Sequence, residues 1–245
     1  MRFTNIIIIG KIYAKWFFRR PLTYMFITIF MPLSIITPML LLSNHSEWPR
    51  VIIGAAIFSV IGGGIADITM NVSFDRREGR LPFFFTRPVT SIEYMLGILV
   101  GGGAYTLVSA GIILAVGDVI LGFTFNIFDL LLFIGIVLFA WFISSNLGFV
   151  IALYGPKDYR LASTLSDFLL FSITFIAPVF YSIQVLPVFW QNISQFLYTT
   201  DLSLIANNAI NKGPLPNPLL TISLPAAFGV TLFFISVRKL KWKTM

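Results

Sequence analysis

Five stretches of this chain, 21–46, 94–117, 130–156, 168–200 and 213–237, contain no Asp, Glu, Lys or Arg. Each is longer than the ~20 residues with which a helix crosses a bilayer. No water-facing helix can be built from such runs. The composition agrees, because only 11% of the 245 residues are charged and 57% are hydrophobic, whereas a soluble domain carries about 25% charge. The chain is therefore expected to be an all-α integral membrane protein. Cysteine is absent, which removes disulfides, thiolate metal sites and a cysteine nucleophile from consideration.

The punctuation of the apolar runs predicts six spans: 22–43, 51–73, 91–117, 127–154, 161–182 and 218–237. Pro32 and Pro38 predict a kinked first span. The third span has a readable start, since Thr90 and Glu93 form an S/T-x-x-E capping box, with Val89 and Tyr94 placed as its hydrophobic staple. Ahead of the spans, Lys11, Lys15 and Arg19 recur every four residues and share one helical face. Ile6, Ile9, Tyr13, Trp16 and Phe17 lie toward another. This pattern suits an interfacial helix with its rings in the acyl boundary, and a leader that only supplies positive charge is the competing reading. The first apolar run is short and no A-x-A site follows it, so the N-terminus is expected to be retained.

Six crossings put both termini on one side. The positive-inside rule makes that side cytoplasmic, with 15 of the 17 Lys and Arg residues there and only Arg50 and Lys212 outside. The net charge of +7 then follows from topology and anionic lipid, with no nucleic acid implied. Between the last two spans, residues 183–217 are too apolar for a free loop and too interrupted for a crossing. They are expected to form a re-entrant or interface-lying helical hairpin, with Trp190, Phe196 and Tyr198 as interface anchors.

Catalytic signatures are missing. The chain has no H-E-x-x-H, no G-x-S-x-G and a single histidine, His45. It also has no P-loop, so any ATP must be handled by another chain. Two carboxylates fall inside expected spans, Asp67 and Asp167, as intramembrane polar candidates. Ion pairing of Asp67 near Arg76 and Arg77 is the structural reading of the first. Asp129, at the far end of the fourth span, is expected to be structural. Glycines at 62–64 and at 97, 101, 102 and 103 are expected to let helices approach closely.

The segment from Asp75 to Glu93 mixes both charge signs with Pro82, the triplet Phe83–Phe85, and Arg87-Pro88 before the capped helix. Rings flanked by cations suit a short docking helix, and a snorkelling loop with rings in lipid is the alternative. Here the sequence resembles the ABC-2 type transporter permeases, including the daunorubicin-resistance and polysaccharide-export types. Glu78-Gly79, the step from Gly79 to Pro88, Val89-Thr90 and Gly97 follow that family's pattern after its second span. Arg80 stands where the family has Thr, and Pro82 where it prefers a helix former, so a short or bent local helix is expected. A second match is APVFYSIQVLPVFW, through Pro178, Phe180, Leu186 and Pro187; beyond it, Thr200-Asp201-Leu202-Ser203 departs from the family's Asn-Pro-Leu-Thr.

The resemblance implies a permease half of an exporter, without its own nucleotide site, located in the cytoplasmic membrane. Residues 1–20 would be a connecting helix and 21–245 one six-helix transmembrane domain, with a coupling segment at 74–90 and an external hairpin at 183–217. Coupling to the ATPase would fall to Arg76, Arg77, Glu78, Gly79, Arg80, Leu81, Phe84, Arg87 and Pro88, and the external gate to Pro178, Phe180, Leu186 and Pro187. The implied partners are cytosolic ATPase subunits, which would hold the ATP and Mg, a second permease copy and membrane lipid. No metal or cofactor is expected on this chain. The substrate class would be hydrophobic or amphipathic: lipid, glycolipid, polysaccharide or drug. The alternative is an ATP-independent secondary transporter or channel.

Overall fold

The computed structural model describes residues 2–19, 30–85, 89–121, 127–211, 215 and 217–240. Arg20, Pro21, residues 22–29 of the expected first span, Arg87, Pro88, Lys212, Lys241 and Lys243 lie outside the described residues. So do the side chains of Trp16, Phe17, Arg19, Pro32, Pro82, Phe83, Phe85 and Asp129.

Every described regular element is helical. In chain order they are α1 (Phe3–Arg19), α2 (Met31–Leu42), a 3-10 turn (His45–Glu47), α3 (Trp48–Gly62), a π turn (Gly63–Asp67), α4 (Ile68–Arg77), α5 (Arg80–Phe85), α6 (Ser91–Leu121), α7 (Ile127–Tyr154), α8 (Tyr159–Ile176), a second 3-10 turn (Ile183–Val185), α9 (Val188–Ser194), α10 (Tyr198–Asn211) and α11 (Pro218–Lys239). Among the described residues, four helical segments are long and apolar enough to cross a membrane: His45–Arg77, Ser91–Val119, Leu130–Tyr154 and Pro218–Lys239. Against the expected boundaries, the second span gains a turn at either end, and the fifth stops at Ile176. The chain there turns through Ala177 and Pro178 into the hairpin.

The helix from Trp48 to Arg77 is the centre of the bundle. Pro49 opens it in the first turn, where its missing N–H costs nothing. Residues Val51–Phe58 are buried in one unbroken run, so this helix is covered on all sides. It packs on α6 and α7, and α8 lies along α4. The closest approach uses Gly64. A Cβ there would sit 2.4 Å from the Ser144 Cβ, and one on Gly148 would sit 2.5 Å from the Gly64 carbonyl oxygen. Two glycines therefore set the separation between this helix and α7. A third notch, at Gly102 and Gly103, receives the Trp141 ring, whose Nε1 donates to the Leu99 carbonyl at 3.0 Å.

The capping box forms as expected. Thr90 N donates to Glu93 Oε2 at 3.0 Å, and Glu93 N donates to Thr90 Oγ1 at 3.3 Å. Glu93 also accepts from Asn5 Nδ2 at 3.0 Å and from the Arg2 backbone N–H. The same carboxylate thus ties the start of α1 to the start of α6.

α1 corrects one expectation. Its Ile6 and Ile9 are buried against α6, with Gly97 facing Ile9 and Gly101 facing the Gly10 carbonyl, so that face meets protein and not lipid. The large apolar residues left exposed are Phe3, Ile7, Ile8 and Ile12, beside Lys11 and Lys15. A second correction concerns Tyr198, which is buried, stacks on Phe228 and shares a 3.2 Å hydrogen bond with Ser144. Trp190 and Phe196 are exposed.

Candidate functional site: a carboxylate-lined cavity between two junctions

A cavity of about 250 Å³ lies between the central helix, α6 and α8. From the central helix it takes Phe58 and Ser59, Gly62 and Gly63, Ala66 and Asp67, then Met70. Those positions recur every three to four residues, so one continuous helical face forms the wall over about 18 Å. α8 contributes Ser163, Asp167 and Leu170, and α6 contributes Tyr105. The π turn falls within this wall, and such turns are frequent at functional sites. Both intramembrane candidates meet here. Asp67 is half-buried on the wall and Asp167 is exposed at the rim.

Neither carboxylate forms a hydrogen bond or ion pair among the described residues. The expected pairing of Asp67 with the arginines is not seen. Arg76 donates to the Ala152 carbonyl, and the Arg77 guanidinium lies 4.6 Å from the Tyr159 ring centre. Ten residues of helix separate Asp67 from Arg77, about 15 Å, which is beyond the reach of the side chains.

The junction at the basic end is organised by Asp75, on the last turn of α4. Its side chain is 3% exposed, accepts from the Tyr13 and Tyr94 hydroxyls, the latter at 2.8 Å, and lies 3.7 Å from the Arg80 guanidinium. One carboxylate thus joins α1, α4, α5 and α6. Burial, and then the adjacent Asp75 carboxylate, push the Tyr13 phenol above its ordinary value, so it stays a donor. The turn from α4 into α5 runs through Gly79 at φ +67°, a left-handed position that favours glycine. α5 is only six residues long, with Pro82 in its first turn, in line with the short helix expected.

The coupling candidates divide into two sets. Leu81 is buried, and the half-buried Phe84 ring packs 5.5 Å from that of Tyr94, so both face inward against the bundle. Arg77, Glu78 and Gly79 are exposed. Arg80 is partly exposed beyond its contacts with Asp75 and the Phe74 ring.

At the Phe58 end of the wall an aromatic cluster packs over that ring as a roof. Phe58 lies 5.9 Å from both Phe171 and Phe180, and Phe175 lies 6.3 Å from Phe180. Pro178 and Phe180 are buried, held by Ser203 Oγ donating to the Pro178 carbonyl at 3.3 Å. Gly54 admits the loop, since a Cβ there would meet the Val179 carbonyl oxygen at 2.4 Å. Leu186 and Pro187 stand apart from this roof; Leu186 instead accepts from Gln191 Nε2 at 2.7 Å.

Sequence reasoning missed the Asp75 junction. Asp75 reads as the first residue of a charged loop, and the only signal for its burial is Tyr13 lying on the same face of α1 as Ile6 and Ile9. Among the described residues no group of three or more His, Cys, Asp or Glu is placed to hold a metal ion.

No curated protein sequence matches the chain. A sequence model of the ABC-2 type transporter family matches residues 1–201, which takes in the leader, the Asp75 junction, the cavity and the aromatic roof. The chain belongs to the ABC-2 type transporter family and is an integral membrane transport permease of that family.

Proposed function

We propose that this permease is the membrane subunit of an ATP-driven exporter for a hydrophobic or amphipathic compound, worked by separate cytosolic ATPase subunits. The observation that carries the reading is the Asp75 junction. A short helix with Arg77 and Glu78 exposed beside it is tied by a buried carboxylate to the helix that lines the cavity. Force applied to α5 by a closing ATPase would reach that wall without passing through a flexible loop. Residues 74–90 are then the coupling segment, residues 1–20 the connecting helix and 183–217 the external hairpin, with Pro178 and Phe180 as its gate.

The reading includes six crossings. α8 is about 27 Å long, close to the ~30 Å hydrocarbon thickness, and the segment ending in α2 supplies the sixth. Both termini and the arginine-rich turn at Arg76–Arg80 then face the cytoplasm, the orientation that the positive-inside rule favours. A second copy would pack across the face that carries Asp167, since an exposed carboxylate at that depth is costly against lipid.

The test is a mild-detergent pull-down of the full chain, with Glu78→Lys as control. Recovery of a P-loop ATPase that is lost in the control is expected. Transport that persists with no ATPase bound, driven by an ion gradient, would replace this reading with an ATP-independent transporter, for which the paired carboxylates are the specific support.

A further inference from the structure

Among the described residues the cavity presents two carboxylates and no counter-charge. No Lys, Arg or His among the described residues lines it, and the described ion pairs, Arg50 with Glu47 and Arg80 with Asp75, lie elsewhere. Asp67 and Asp167 lie about 15 Å and 10 Å along their helices from Arg77 and Arg160. They are therefore inside the hydrocarbon zone, where carboxylates are costly and mark functional sites. Two like charges facing one low-dielectric space disfavour each other's ionised form. A cation between them removes that conflict.

The rest of the wall says what kind of cation. Phe58, Met70, Tyr105 and Leu170 give it apolar and aromatic sides, and its length of about 18 Å suits an elongated body. With two carboxylates and no third His, Cys, Asp or Glu beside them among the described residues, it is a poor cage for Ca2+ or Mg2+, which take six or more oxygen ligands, and for Zn2+, which takes at least three protein ligands. A phosphate attached to the ligand would meet two repelling carboxylates and no basic residue among the described lining. That argues against phospholipid headgroups and pyrophosphate-linked sugars.

We propose that the cavity takes an organic cation, an ammonium with an elongated apolar body and no attached phosphate, its charge between Asp67 and Asp167 and its body lying toward Phe58. That this ligand is the transported substrate rests on the exporter reading; its binding does not.

The test is equilibrium binding of radiolabelled decyltrimethylammonium to the full chain in phosphatidylcholine nanodiscs, with decanol and decyl sulfate as comparators and empty nanodiscs subtracted. The wild type is expected to bind the cation at least about tenfold more tightly than decanol, a modest part of the Coulomb attraction of two carboxylates for one cation in a partly desolvated site, and to exclude decyl sulfate. The double variant Asp67→Asn/Asp167→Asn, isosteric and with the like-charge conflict removed, is expected to lose the preference and keep decanol binding. Ala66→Phe, which fills the cavity and leaves both charges, is expected to bind neither. A wild type without the preference, a preference that survives the double substitution, or cation binding undiminished in Ala66→Phe would each overturn the proposal. Exchanging half of the lipid for phosphatidylethanolamine should not displace the probe; displacement would overturn the exclusion of phosphate-bearing amines. The two readings fail separately. Charge-dependent binding in a protein that recruits no ATPase sinks the exporter alone, whereas ATP-driven transport indifferent to the double substitution sinks this site alone.

Discussion

Replacing Gly64 with alanine tests whether contact with α7 fixes the wall of the cavity. The added Cβ would fall 2.4 Å from the Ser144 Cβ and 2.9 Å from both the Ser144 carbonyl carbon and the Ser145 nitrogen. Two of those three atoms are backbone, so no rotamer change relieves the clash and the helices must separate. Overpacking of this kind costs about 1–3 kcal/mol. The helix-propensity gain of alanine over glycine, about 0.5–1 kcal/mol, acts the other way. Gly111→Ala isolates the clash, because nothing lies within 4 Å of a Cβ at Gly111 and the propensity gain is common to both variants. The expected difference between the two is therefore the overpacking term itself, about 1–3 kcal/mol. It is read as a lower midpoint for Gly64→Ala when the purified chain is unfolded by rising SDS mole fraction in mixed micelles. Adding Ser144→Gly removes the 2.4 Å contact but not the two at 2.9 Å, so it should restore part of the loss. A Gly64→Ala midpoint equal to or above that of Gly111→Ala would refute the packing argument, and with it the claim that the π turn is held against α7 by close backbone approach.

Three further outcomes follow from the junctions. Tyr13→Phe removes a phenol donor to Asp75 and should cost about 1 kcal/mol in the same unfolding assay; it should also lower ATP-driven transport while ATPase recruitment, measured by pull-down, is retained. Glu93→Ala breaks the capping box and releases Asn5 and Arg2, with an expected loss of about 1–2 kcal/mol and faster proteolysis within α1. Asp201 in α10 has its carboxyl pushed up to about 6 by desolvation. A raised carboxylate pKa means that the folded state holds its proton more tightly. The resulting penalty is absent below the unfolded value near 3.8 and complete above about 6. The wild type should thus lose thermal stability relative to Asp201→Asn between pH 4 and pH 7, and a pH-independent difference would contradict it.

Much of this arrangement is legible in the sequence because a bilayer allows few solutions. Apolar runs bounded by charge give the helices of the four membrane-length segments, and Thr90 with Glu93 gives the start of α6 to the residue. Glycines at 64, 97 and 101 announce close contacts, though not which helix answers each. What escapes is whatever depends on depth and rotation of a polar residue. Asp75 and Asp67 both read as carboxylates near arginines, yet one is buried in a hydrogen-bonded junction and the other opens onto a cavity. The physical difference is the helical angle at which each projects. Asp75 falls on the side covered by α1 and α6, where Tyr13 and Tyr94 supply donors. Asp67 falls on the side shared with α8, where Asp167 supplies only a second negative charge. Hydropathy averages over that angle, so it sees a span ending in charge. The angle nevertheless separates the two functions: the carboxylate that is satisfied joins the helices that transmit motion, and the carboxylate that is left unsatisfied, eight residues earlier on the same helix, faces the space a ligand would fill. A single helix connects them, so displacement at the first must move the second.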